Sequence, residues 1–157
     1  MLQMPRGVRT RVSRRIDADP SSTALLLAGP PAVDLWPGAR RVGEADGGVL
    51  VEARPPAEPQ LVDAEPARVS VRALPPRRTP TSYVTRFEWS GDDLPPVSGR
   101  LTLAYAPTGD GASVTHAVLE LEPVTGDAPY SRRALTTMGE GFLGNLARAA
   151  ENRNRAA

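Results

Sequence analysis

The segment APYSRRALTTMGEGFLGNLARAAENR, Ala128 to Arg153, decides the fold. Leu135, Met138, Phe142, Leu146 and Ala149 recur at spacings of three and four, the period of a helix with one buried face. Gly139, Leu143 and Ala150 widen that stripe. Glu140, Gly144, Arg148 and Glu151 fall on the other side. The spacing predicts one long amphipathic helix. Nearly everything before it reads as short strands, and no other element is long enough to cover their apolar faces.

Working back toward the N-terminus, the strands show themselves by alternation. Val8 to Ile16 places Val8, Thr10, Val12, Arg14 and Ile16 on one face and Arg9, Arg11, Ser13 and Arg15 on the other. Asp19-Pro20-Ser21-Ser22 signals a helix start, with Asp19 as cap and Pro20 in the first turn. Thr23 to Ala28 continues that helix, and Gly29 before Pro30-Pro31 stops it. A second short helical turn, Ala32 to Trp36, ends at Pro37-Gly38. Ala39 to Ala45 and Val49 to Arg54 form a hairpin about Asp46-Gly47-Gly48. Pro55 to Pro66 reads as an edge strand or irregular loop. Strands follow at Arg68–Leu74, Ser82–Trp89, Arg100–Ala106 and Ala112–Glu122, with Pro75–Pro80 as a turn and Gly91–Pro96 as a polar loop. The paired prolines along the chain punctuate it; their flanks share no repeat.

The expectation is an α+β fold. A curved antiparallel sheet of about seven strands wraps the C-terminal helix, with two short helices between strands one and two. A single domain spans 8–153, and 1–7 and 154–157 are loose termini. The chain of 157 residues suits one domain with a real core, and its apolar content of 40% is ordinary for a globular protein.

Composition excludes several chemistries. There are no cysteines and one histidine, so thiolate and multi-histidine metal sites are ruled out. No metal and no cofactor is expected. All 19 basic residues are arginines, yet the net charge is only +1, too little for an ordinary nucleic-acid binder. No apolar run approaches the roughly 18 residues of a membrane span. The N-terminal stretch has no hydrophobic signal core, so the expected location is the cytoplasm.

The order of elements resembles the SRPBCC superfamily, also called START-like or birch-pollen-allergen-like. The likeness covers nearly the whole chain. It rests on Ile16-Asp17-Ala18-Asp19-Pro20, on Asp34-Leu35-Trp36-Pro37-Gly38-Ala39 leading into strand two, on Gly111-Ala112-Ser113-Val114-Thr115 opening the last strand, and on the long terminal helix. Within that superfamily the chain is most similar to the bacterial polyketide cyclase/dehydrase and lipid-transport group. The resemblance implies a helix-grip fold: a seven-stranded antiparallel sheet around the C-terminal helix, with a cavity between them for an apolar or aromatic ligand. It carries no invariant catalytic motif, and it leaves a ring cyclase, a lipid carrier and an interaction module all open.

Candidate residues follow from residue type and position. Trp36, Tyr83, Phe87, Trp89, Tyr105 and Phe142, with Met138 on the helix stripe, build core or line a site for a flat ligand. Tyr hydroxyls would anchor its polar end. Arg14 stands on an apolar strand face, where a guanidinium either pairs with an acid or grips a ligand carboxylate, phenolate or enolate. His116 is the natural acid or base near neutral pH. Its strand face, shared with Val114, Val118 and Glu120, is the less apolar one, which turns it toward solvent. Glu120 and Glu122 share that face, as a possible acid/base pair or as solvated charges. Arg9, Arg11 and Arg15 form a basic outer edge. Gly139-Glu140-Gly141-Phe142-Leu143-Gly144 matches G-x-G-x-x-G, but no strand–acid context follows it. Its glycines read as places where the helix passes close to the sheet or to a ligand.

The leading expectation is a cavity that encloses a small hydrophobic or aromatic molecule such as a lipid, quinone or polyketide. The alternative is a polyketide cyclase or aromatase, with Arg14, Tyr83, Tyr105 or His116 moving a proton. A third is an interaction module with a filled interior. Oligomeric state leaves no signature in the sequence.

Overall fold

The computed structural model describes residues 9–28, 30–45, 48–53, 67–91, 94–106, 114–124 and 132–156. Strand β1, Thr10–Ile16, buries Thr10, Val12 and Ile16 and exposes Arg11, Ser13, Arg14 and Arg15. Helix α1, Pro20–Leu25, follows at once. The Asp19 carboxylate caps it, accepting from the Ser22 amide at 3.4 Å and from the Ser21 hydroxyl. Pro20 sits in the first turn, where an amide would have no partner in the helix. The helix stops at Leu25, short of the expected Ala28. The Leu27 and Ala28 amides bond three residues back, to the Ala24 and Leu25 carbonyls, so the last turn tightens out of α geometry.

The cap gives a direct test. Asp19→Ala is expected to cost about 1 kcal/mol, while Asp19→Asn keeps most of the cap. Denaturant unfolding of the two variants side by side measures the difference.

The second short helix is a 3-10 helix, Pro30–Leu35. Gly38, at φ 72°, turns the chain out of it into the sheet. The remaining strands are β2 Arg40–Ala45, β3 Gly48–Ala53, β4 Ala67–Ala73, β5 Arg77–Arg78, β6 Ser82–Gly91, β7 Leu94–Ala106 and β8 Val114–Pro123, and helix α2 spans Arg132–Ala156. The strands form one antiparallel sheet in the order β1-β8-β7-β6-β4-β3-β2, and β5 pairs with β6 beyond the end of β4.

Strands β4 and β5 act as one interrupted strand. The Leu74 amide still donates to the Arg86 carbonyl at 2.9 Å, but Pro75 and Pro76 have no amide to continue the ladder. The expected Pro75–Pro80 turn therefore contains a short strand. The expected Gly91–Pro96 loop is shorter too, because β7 begins at Leu94. Its two prolines are tolerated because neither has a ladder partner: pairing with β8 starts only at Val97, opposite Pro123, and the register with β6 shifts between Trp89 and Gly91. Residues 55–66, 112–113 and 128–131, for which a loop or edge strand, a strand start and a helix start were expected, lie outside the described residues.

One sheet face is predominantly apolar. Leu119 sits opposite Val12 on one side and Leu101 on the other, and Leu121 opposite Thr10 and Gly99. Helix α2 lies against this face. Leu135, Leu143, Leu146, Ala147 and Ala150 are fully buried, and Phe142 nearly so. Met138 and Ala149, placed in the stripe by their spacing, are half-buried on its flanks. Helix and sheet meet closely at Gly139, where an added Cβ would stand 2.9 Å from Val12 Cγ2. Burial of a large apolar side chain stabilises by about 1.5–3 kcal/mol, against about 1 kcal/mol for a helical glycine, so packing outweighs propensity along this helix. At the far end of the sheet the buried Thr115 hydroxyl donates to the Ala18 carbonyl at 2.7 Å, tying β8 to the turn before α1. The architecture is the α+β helix-grip expected from the sequence.

Candidate functional site

Away from β1, the helix and the sheet do not close on each other. A cavity of about 410 Å³ lies between them. Its floor is the concave face of β3, β4, β6 and β7, through Val49, Val71, Phe87 and Leu101. The turn after α1 and the 3-10 helix roof it with Leu27, Ala28 and Ala32, and α2 contributes Phe142. The volume falls within the range of about 300–1,000 Å³ typical of small-molecule sites.

Trp36 organises one wall. Its ring stacks on Phe142 with centroids 4.2 Å apart and 27° between planes. It meets Trp89 edge-on at 5.0 Å and Phe87 at 5.3 Å. Offset and edge-to-face pairs of this kind add about 0.5–1.5 kcal/mol each beyond area burial, so the cluster is a rigid surface. Phe87 is held flat against its neighbour strand because its cross-strand partner is Gly99. A Cβ there would lie 2.1 Å from Phe87 Cζ.

The polar content of the lining is small. The Thr85 hydroxyl donates to the Leu74 carbonyl at 2.8 Å. Glu44, on β2, supplies the one ionisable side chain among the described lining residues.

The structure brings together some of the residues singled out by sequence and separates others. Trp36, Phe87 and Phe142 line the cavity, and Trp89 is buried behind them. Tyr83 and Met138 are half-buried against the core but do not line it. Tyr105 lies near the end of β7 and is 47% exposed. Arg14 is on the apolar face as its alternation implies, but β1 is the sheet edge. Its side chain is exposed and opens on a separate groove with Pro37, Glu140, Gly144 and Arg148. Among the G-x-G-x-x-G glycines, Gly139 meets Val12 and Gly141 meets Pro37, while Gly144 has only Arg14 Nη1 near it, at 4.0 Å.

His116 is exposed on the convex face, in register with Arg15 on β1 and Ala104 on β7. Glu120 is on the same face and is not paired with Glu122 for proton transfer. It accepts from Arg100 at 2.7 Å and from Arg9. The Arg100 hydrogen bond, with help from Arg9, holds its carboxyl below the usual glutamate range. A lowered folded-state value means that the stabilisation is full above the unfolded-state range and is lost as acid protonates the folded carboxylate. The pairs are water-facing, so the contribution stays below about 1 kcal/mol. Glu120→Gln is expected to flatten the acid side of the stability–pH curve below pH about 4.3, where unfolded glutamate titrates, and to leave stability above pH about 6 changed by less than 1 kcal/mol. Denaturation midpoints across that range measure it.

The aliphatic lining and Glu44 went unflagged in the sequence. Val49 and Val71 were readable only as alternate strand residues, and nothing local distinguishes lining from packing. Among the described residues no helix is long and apolar enough to cross a membrane, and no three His, Asp or Glu side chains gather as a metal site requires.

No family model matches the sequence, and no curated protein does. Solved structures do match its fold. A protein from Thermus thermophilus superposes with a TM-score of 0.59 at 14% identity, covering 93% of this chain and 99% of that one. A hypothetical protein from Helicobacter pylori gives 0.63 at 6% identity, over 92% and 89% of the two chains. A START superfamily protein from Mycobacterium smegmatis gives 0.51 at 13% identity, over 92% and 95%. With the strand order, the long terminal helix and the open cavity beside it, these matches show that the chain has a START-like helix-grip fold.

Proposed function

We propose that this protein binds a small hydrophobic or aromatic molecule, of the lipid, quinone or polyketide kind, in the cavity between the sheet and α2. The observation that carries the proposal is the cavity itself. About 410 Å³ of space is walled by aliphatic side chains and by the Trp36–Phe142 stack. Empty apolar space on this scale forfeits dispersion contacts that a guest restores. An interior built only as core would have been filled.

The cyclase reading has weaker support. It needs a group to move a proton inside the cavity, and Arg14, Tyr83, Tyr105 and His116 are all absent from the lining.

Val71→Trp tests the proposal by filling the cavity from β4. Native mass spectrometry with a panel of quinones and two-ring aromatics is expected to show saturable one-to-one complexes of the unaltered protein. Val71→Trp is expected to weaken them by about tenfold or more, the loss of about 1.4 kcal/mol or more of binding free energy. An absence of complexes across the panel, or complexes indifferent to Val71→Trp, contradicts the proposal.

A further inference from the structure

Glu44 occupies the cavity wall because of a fault in the β2–β3 pairing. Arg40 faces Glu52 and Arg41 faces Val51, but the register then slips, and Gly43 faces Leu50 and Glu44 faces Val49. Continued without the slip, the pairing would set Gly43 opposite Val49 and Glu44 opposite Gly48, on the convex side. The bulge at Val42 reverses the alternation and places Glu44, still exposed, on the concave side at the cavity rim. The row that it joins is otherwise apolar: Val49 pairs with Val71, Val71 with Trp89 and Trp89 with Val97. Bulges that redirect one side chain recur beside binding sites.

The rest of the described lining gives this carboxylate its meaning. It contains no Arg, Lys or His side chain. The Thr85 hydroxyl is already donating to the Leu74 carbonyl. No ion pair to Glu44 occurs among the described residues. The wall therefore presents a hydrogen-bond acceptor with a negative charge, and no cationic side chain among the described lining residues to receive an anion.

We infer that Glu44 is a specificity-determining residue, and that the cavity takes an apolar ring-bearing molecule with a hydrogen-bond donor, a cationic amine above all or a hydroxyl, and discriminates against carboxylates. This inference rests on the cavity being a binding site. The donor end would lie at the mouth, where the exposed carboxylate of Glu44 meets it, with the rings against Trp36 and Phe87.

A matched series tests it: 1-naphthylmethylamine, 1-naphthylmethanol and 1-naphthoate, titrated by calorimetry at neutral pH. The amine is expected to bind more tightly than the alcohol, and the alcohol more tightly than the carboxylate, each step up to about fivefold, the size a water-exposed ion pair supports. Glu44→Gln is expected to abolish the amine-over-carboxylate preference, and Glu44→Lys to reverse it. Retention of the amine preference in Glu44→Gln would assign it to the aromatic walls and overturn the inference. Equal binding of all three by the unaltered protein overturns it as well, while leaving the cavity a binding site. Binding of none removes the cavity reading and this inference with it.

Discussion

Phe142→Ala is expected to lower the unfolding free energy by about 3–5 kcal/mol, the usual range for deleting a buried aromatic ring. Phe142 is 3% exposed and stacks on Trp36, which in turn touches Phe87 and Trp89. Removal of its ring takes away a transfer contribution and leaves a void beside a cavity that already exists. The surroundings have little means of collapsing into it, because the sheet on one side and the helix backbone on the other are both held by ladders of hydrogen bonds. The loss should therefore fall toward the upper end of the range. Denaturant unfolding gives the number. A cost under about 1 kcal/mol would mean that the stack is not a structural element, since surface substitutions cost that little.

The second large effect concerns how α2 is seated. Gly139→Leu is expected to destabilise the protein by about 1–3 kcal/mol or more through overpacking. The Cβ alone would meet Val12, Leu119 and Leu121, on two neighbouring strands. A leucine there must push the helix away from β1 and β8, and its contacts extend along the helix. Gly144 supplies the contrast on the same helix. An added Cβ there finds nothing closer than Arg14 Nη1 at 4.0 Å. Gly144→Ala is expected to stabilise by up to about 1 kcal/mol through helix propensity. Opposite signs from two glycines five residues apart would locate the helix face that touches the sheet. If both substitutions destabilise, α2 is not seated on the sheet through Gly139.

What the sequence disclosed depended on how local the determining interaction was. The α2 stripe follows from a period within one element, and Leu135, Leu143 and Leu146 are buried as it requires. The Asp19 cap is a contact between neighbours in the chain. Trp36, Phe87 and Phe142 stood out because large rings are rare in this sequence. Arg14 shows where such reading ends. Alternation placed it on the correct face, but only the sheet order reveals that β1 is an edge and that the position opens to water. Glu44 is the sharper case. Its direction is set by a slip in pairing with another strand, and no property of the residues Arg40 to Ala45 announces that slip. The strand starting at Leu94 was hidden for a related reason, since Pro95 and Pro96 have a ladder partner on neither side and the register with β6 shifts around them.

Tryptophan fluorescence during titration with polycyclic aromatics and quinones tests the central claim most directly. Trp36 forms part of the cavity wall and Trp89 touches it. A guest in the hollow between sheet and helix must therefore alter the emission saturably, with one-to-one stoichiometry. Emission that stays unchanged across the whole panel would contradict the account, leaving a helix-grip protein whose hollow holds nothing.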